Sequence, residues 1–213
     1  MAKGKVKLII DGQQIEAKSG NVILWAALDA GIFIPNLCGL RENGDPSTSC
    51  RLCLVEIEGR ARLVTACSEP VAEGMVVRTD TDRIDRVRRT AFELLMSNHN
   101  IDCKNCVKNG SCALQEIASK MRYKLKPQRL PSIVRSLPID DSHPLFTYDP
   151  NKCVLCGKCV WACEKRGAGE LQFTRRGIDT IISTLGSVPL LQSGCKGCLY
   201  CVEVCPVGAL VPK

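Results

Sequence analysis

The sequence predicts an α+β chain built from several small modules held together by cysteine staples. Three observations point there. Only 4% of its 213 residues are aromatic, too few large side chains for several well-packed cores, and small modules of that kind usually need staples. The chain carries 15 cysteines, most of them in tight C-x2-C groups. The hydrophobic pattern also changes along the chain. It reads as strands and a short helix over residues 1–80, as helices over 81–125, and as a proline-rich connector over 126–150. A repeated cysteine motif fills 151–213.

Each segment has its own signals. Val6 to Ile10 reads as a strand, Asp11-Gly12 as a hairpin turn, and Gln13 to Ala17 as the returning strand. Ser19-Gly20-Asn21 precedes Val22, Ile23, Ala26, Ala27 and Ala30, a spacing that suits a short helix ended by Gly31. Leu54 to Ile57 and Arg62 to Thr65 read as paired strands around Glu58-Gly59-Arg60, and Met75-Val76-Val77 as a further strand. Thr81 or Asp82 should cap a helix carrying Ile84, Val87, Ala91, Leu94 and Leu95 and ending near Asn98-His99. Ser111 should cap a second one through Leu114, Ile117, Ala118 and Met121. Pro127, Pro131, Pro138, Pro144 and Pro150 make the connector too proline-rich for regular elements. Beyond it, Leu171 to Thr174 and Ile178 to Ile182 flank Arg175-Arg176-Gly177 as a hairpin.

The staples are expected to be metal rather than disulfide. Disulfide frameworks belong to oxidising compartments. The first apolar stretch, Leu8-Ile9-Ile10, stops at Asp11-Gly12, so neither a signal peptide nor a membrane span is expected and a cytoplasmic location is. An odd cysteine count in C-x2-C groups also fits metal binding better. The formal charge of +7 would raise nucleic acid as a partner, but it counts cysteines as neutral. Metal-bound cysteines are anionic thiolates, whose charge the surplus lysines and arginines offset. No basic block is interleaved with aromatics, so no nucleic acid is expected.

The most specific signal is C-x2-C-x2-C-x3-C, present twice: Cys153, Cys156, Cys159 and Cys163, then Cys195, Cys198, Cys201 and Cys205 followed by Pro206. Two-residue spacers let three thiolates wrap one face of a cubane, while the fourth, expected at the start of a helical turn, points to the other cluster. Cys153, Cys156, Cys159 and Cys205 are therefore expected to hold one [4Fe–4S] cluster, and Cys163, Cys195, Cys198 and Cys201 another. Zinc favours two ligand pairs around one ion and fits this pattern poorly. The segment resembles bacterial two-cluster ferredoxins with an enlarged insert of 31 residues between Cys163 and Cys195.

Two further sets account for the remaining cysteines. Cys38, Cys50, Cys53 and Cys67 are spaced C-x11-C-x2-C-x13-C, with a longer first gap than plant-type ferredoxins have. The hairpin, helix and ligand loop around them resemble the β-grasp ferredoxin fold. The set looks like the [2Fe–2S] domain that opens the large iron–sulfur subunit of respiratory complex I and the [FeFe]-hydrogenases. His99, Cys103, Cys106 and Cys112, spaced H-x3-C-x2-C-x5-C, resemble the histidine-ligated [4Fe–4S] cluster of those same families, where a neutral imidazole in place of a thiolate should raise the potential. The other histidine, His143, reads as an ordinary surface residue. The resemblance thus implies one [2Fe–2S] and three [4Fe–4S] clusters, with every cysteine used.

No substrate site is expected. Closed coordination suits electron transfer, and catalytic metals keep a vacancy. There is no G-x-G-x-x-G loop, because Gly167-Ala168-Gly169 lacks the third glycine, and no flavin motif. With eight residues after Cys205, no catalytic domain is expected to follow. End to end the sequence resembles the diaphorase iron–sulfur subunits of bidirectional NAD-reducing [NiFe]-hydrogenases. That resemblance implies a non-catalytic electron-transfer subunit of an oxidoreductase complex. An FMN/NAD-binding flavoprotein subunit would lie on one side and the small and large (Ni–Fe) hydrogenase subunits on the other, the net reaction being H2 plus NAD+ giving NADH and a proton. The alternatives are the same relay in an NAD-linked formate dehydrogenase or an electron-bifurcating [FeFe]-hydrogenase complex and, from another class, a structural metal-binding scaffold.

Overall fold

The computed structural model describes residues 4–166 and 168–213; the first three residues, and Gly167 of the Gly167-Ala168-Gly169 stretch, lie outside the described residues. The chain divides into two compact units, Met1–Phe92 and Glu93–Lys213.

In the first unit β1 (Lys5–Ile10) and β2 (Gln13–Lys18) form an antiparallel hairpin with Leu8 opposite Ile15 and Val6 opposite Ala17. Asp11 and Gly12 both take positive φ, 49° and 81°, as a type I′ turn requires, and Asp-Gly meets that demand at little steric cost. The helix α1 (Ile23–Asp29) follows, then β3 (Leu54–Ile57), β4 (Val64–Thr65) and β5 (Val76–Arg78). They complete a five-stranded sheet in the order β2-β1-β5-β3-β4, with β1 and β5 parallel. Leu8, Ile10, Val55 and Val77 from the strands pack with Ile23, Leu24 and Ala27 from α1 into one apolar core. This is the β-grasp-like half of the α+β fold that the hairpin and helix signals predict.

The next helix, α2 (Asp82–Ser97), starts where expected: Thr81 Oγ1 accepts the Ile84 amide at 3.2 Å. Ser111 does not cap the following helix, α3 (Ala113–Met121). Its hydroxyl turns back to the Lys108 carbonyl, while the Gln115 side chain takes the Gly110 amide at 2.8 Å.

The connector in the second unit holds a strand that the prolines hide. β6 (Phe146–Tyr148) lies just before Pro150. The helix α4 (Lys158–Lys165), β7 (Leu171–Thr174), β8 (Ile181–Thr184), α5 (Tyr200–Glu203) and β9 (Leu210–Pro212) follow. β6 pairs antiparallel with β9, and β7 with β8. The second pair is the expected hairpin, its return strand displaced by a 3-10 turn at Gly177–Asp179. Among the described residues no helix is long and apolar enough to cross a membrane.

Candidate metal centres

The first ligand set is buried beside the sheet-and-helix core, which Cys53 and Cys67 join. Cys38, Cys50 and Cys67 are 3% exposed and Cys53 1%. The amides of Ile23 and Leu24, without partners inside α1, donate to the carbonyls of Glu69 and Ala66 at 2.9 Å each. That pins the segment bearing Cys67 to the helix start. The Ala66 amide in turn donates to the Cys53 carbonyl at 2.9 Å. The sulfurs of Cys38 and Cys50 lie 3.3 Å apart. Such crowding splits the thiol titrations: hydrogen bonding with Cys50 holds Cys38 far below the usual thiol range, and its counterpart raises Cys50. Cys53 is lowered by its bond with Cys67, whose own thiol is driven up by Cys38 and Cys53. Thiols linked in this way share protons, which a bound metal centre would displace.

The second set begins at His99, just past the end of α2 and buried. Its Nδ1 lies 3.0 Å from the Lys152 carbonyl oxygen. A carbonyl only accepts, so Nδ1 carries the proton and Nε2 keeps a free lone pair. Burial, ahead of the opposing carbonyl bond, holds the ring below its ordinary 6.5. A neutral ring with its tautomer fixed from behind is the form that ligates metal. Cys103 opens a 3-10 turn (Cys103–Asn105), Cys106 ends it, and Cys112 precedes α3; burial raises the Cys112 thiol.

The repeated motif closes around two separate cavities. Cys153, Cys156, Cys159 and Cys205 line one, with Tyr148, Val154, Ile182 and Val207. Cys163, Cys195, Cys198 and Cys201 line the other, with Phe146, Leu171, Leu190 and Leu199. Each motif thus contributes three sulfurs to one cavity and its fourth to the other. The mechanism differs from the sequence expectation in one respect. Cys159 stands in the first turn of α4, and Cys163 near its end; Cys201 stands inside α5, and Cys205 beyond it. The helical turn between third and fourth cysteines, rather than a turn beginning at the fourth, carries that sulfur across. Burial raises the thiols of Cys153 to about 11 and of Cys156 and Cys201 to about 12. Filling these sites therefore means displacing protons. Exposure is uneven: Cys198 is exposed, while Cys201 and Cys205 are buried.

Two residues read differently in space than in sequence. His143 is buried, not superficial; its ring stacks on Phe146 at 4.3 Å between centroids, and Nδ1 accepts the Leu145 amide at 3.2 Å. Tyr148, unremarked in the sequence, lines the Cys153 cavity, and its hydroxyl donates to the Ile182 carbonyl at 2.8 Å. An aromatic five residues ahead of the first ligand was the available signal.

The donor sets suit clusters better than single ions. In the two repeat sets the four sulfurs ring a cavity instead of converging on a point. Family comparisons agree with this chemistry. Residues 3–82 match the 2Fe-2S iron-sulfur cluster binding domain, 88–126 the NADH-ubiquinone oxidoreductase-G iron-sulfur binding region, and 145–206 the 4Fe-4S dicluster domain. A chain of the crystal structure of NAD+-reducing [NiFe]-hydrogenase in the H2-reduced state superposes with a TM-score of 0.89 at 35% identity, covering 98% of this chain and 87% of that one.

The chain belongs to the family of iron–sulfur electron-transfer subunits of NAD(P)-linked oxidoreductases. Members of this family include a G-type subunit of the NADH-quinone oxidoreductase of Rhizobium meliloti, 40% identical over 97% of this chain, and the alpha subunit of the NADPH-Fe(3+) oxidoreductase of Geobacter sulfurreducens, 39% identical over 98%. The HndD subunit of the NADP-reducing hydrogenase of Solidesulfovibrio fructosivorans is 35% identical over 96%. The chain spans 24% of the length of the first two and 35% of the third. A 2Fe-2S domain and 4Fe-4S binding domains are both present in this family member.

Proposed function

We propose that this chain relays single electrons between an FMN- and NAD(H)-binding flavoprotein subunit and a [NiFe]-hydrogenase module in the cytoplasm, coupling H2 plus NAD+ to NADH and a proton. The observation that carries it is the crossed placement of the eight repeat cysteines around two cavities; the spacing of the other seven cysteines and His99 reads as two further ligand sets. Cys38, Cys50, Cys53 and Cys67 would hold a [2Fe–2S] cluster; His99, Cys103, Cys106 and Cys112 a [4Fe–4S] cluster. Cys153, Cys156, Cys159 and Cys205 would hold a second, and Cys163, Cys195, Cys198 and Cys201 a third. They sit in segments 1–80, 81–125 and 151–213, joined by 126–150. Bound clusters would supply reversible one-electron storage. The chain's own part is to hold them with thiolates and one neutral imidazole, to bury the Cys38 set against an apolar core, and to line the Cys153 cavity with apolar side chains.

The likeness to the hydrogenase chain supports the choice of complex. The 40% and 39% identities to NADH- and NADPH-linked oxidoreductase subunits support a second reading, the same relay serving such a complex without nickel. Anaerobic purification of the chain with its native partners tests both. Metal analysis should find about fourteen irons per chain for one two-iron and three four-iron clusters. Co-purifying nickel selects the hydrogenase reading, and flavin without nickel the second. Zinc in place of iron ends both.

A further inference from the structure

Gly208 is buried in the turn between Cys205 and β9. Its φ is not in the left-handed region, so any L-residue could adopt its backbone conformation, and conformational freedom is not why glycine is there. Space is. A Cβ at this position would lie 2.5 Å from Cys106 Sγ, with Lys152 Cδ at 3.6 Å and Lys108 Cβ at 3.9 Å. A free thiol could swing aside, whereas a sulfur bound to iron is held at both ends and could not.

Three hydrogen bonds surround this contact. The Asn100 amide donates to the Asn151 carbonyl at 2.8 Å, and the Ala113 amide to the Pro206 carbonyl at 2.9 Å. His99 Nδ1 donates to the Lys152 carbonyl at 3.0 Å. The pattern is the same at both ends. Lys152 directly precedes Cys153 and Pro206 directly follows Cys205, while Ala113 directly follows Cys112. Residues at or beside ligands of the His99 set are therefore bonded to residues beside ligands of the Cys153 set.

We propose that Gly208 is a positioning residue that lets Cys106 lie against the segment following Cys205, and that the His99–Lys152 and Ala113–Pro206 hydrogen bonds are the electron route between the His99 and Cys153 sites. The inference rests on the ligand sets proposed above. In the transfer one site loses an electron and the other gains it. No covalent bond forms or breaks, and the Nδ1 proton stays in its hydrogen bond. The route from imidazole to the Cys153 sulfur then crosses one hydrogen bond, the Lys152–Cys153 peptide link and the Cys153 side chain.

The test uses the full chain, loaded with iron anaerobically and followed by EPR, redox titration and rapid photoreduction. Gly208→Ala should lose or shift the His99-site signal and potential, while the [2Fe–2S] signal and that of the Cys163 site persist. His99→Cys supplies a thiolate in place of the ring and removes the imidazole bond. It should retain full iron yet slow electron equilibration between the His99 and Cys153 sites beyond what the change in their measured potentials accounts for. This variant carries the test if Gly208→Ala assembles no site at all. Wild-type protein without a His99-site signal would sink the ligand sets and this inference with them. Wild-type protein that has the signal, with Gly208→Ala indistinguishable from it or His99→Cys as fast as its potentials allow, would sink this inference alone.

Discussion

The two units hold their cysteines in opposite ways. In the first, four almost wholly buried sulfurs lie beside a core made of Leu8, Ile10, Ile23, Leu24, Val55 and Val77. The sheet and α1 have reason to form whether or not metal is present. In the second, the strands are only three or four residues long, α5 has four residues, and the cysteines of the repeated motif line cavities. There the apolar side chains that would otherwise form a core, Ile182, Leu190 and Val207, face the space between the sulfurs. The same electron-carrying role thus rests on a pre-built scaffold in one unit and, in the other, on a shell that its contents complete.

The largest effect that would break this comparison is iron removal. In iron-free chain, amides of β1, β2 and β5 should keep hydrogen-exchange protection while those of α4, α5 and β9 lose it, because metal binding supplies much of the folding free energy of small metal sites. Equal protection in both units would refute the contrast. Next, Leu24→Ala should destabilise the first unit by about 2–5 kcal/mol, the usual range for a fully buried leucine, measured by denaturant melting of iron-free protein. Leu190→Ala in the same iron-free chain should leave the melt unmoved; a comparable loss would mean that the second unit has a core of its own. The smallest effect concerns acid. Burial pushes the Asp140 carboxyl up, but hydrogen bonds from Ser142 and the Leu190 amide outweigh it and leave the group below its ordinary 3.8. A carboxyl depressed on folding contributes fully above the unfolded value and loses that contribution as pH falls through the folded one. Iron-loaded protein should therefore weaken around residues 140–142 and 190–191 below about pH 4. Asp140→Asn should remove this local step but not the acid loss of iron, read in parallel from visible absorbance; a local step that persists at full iron occupancy would assign it elsewhere.

Much of this was legible because the ligands announce themselves by spacing. C-x2-C-x2-C-x3-C brings its sulfurs together by local geometry, and the Asp11-Gly12 hairpin is equally local. What escaped depends on partners distant in sequence. β6 is a strand because Leu210–Pro212 lies beside it, and nothing within the proline-rich connector signals that. His143 is buried by stacking on Phe146 and by nearness to Gly197, while its flanking sequence suggested surface. Ser111 loses its capping role because Lys108 is nearer and Gln115 reaches back.

The β6–β9 pair has one further consequence. Antiparallel neighbours at Phe146 and Pro212 bring the polypeptide out beside where it went in. A segment whose entrance and exit share one doorway can be copied, excised or spliced into an unrelated polypeptide without rerouting the host. That geometry closes residues 146–212 at their base, yet a graft would also have to carry residues 99–142, whose hydrogen bonds to Asn151, Lys152, Leu190 and Pro206 hold the closed segment in place.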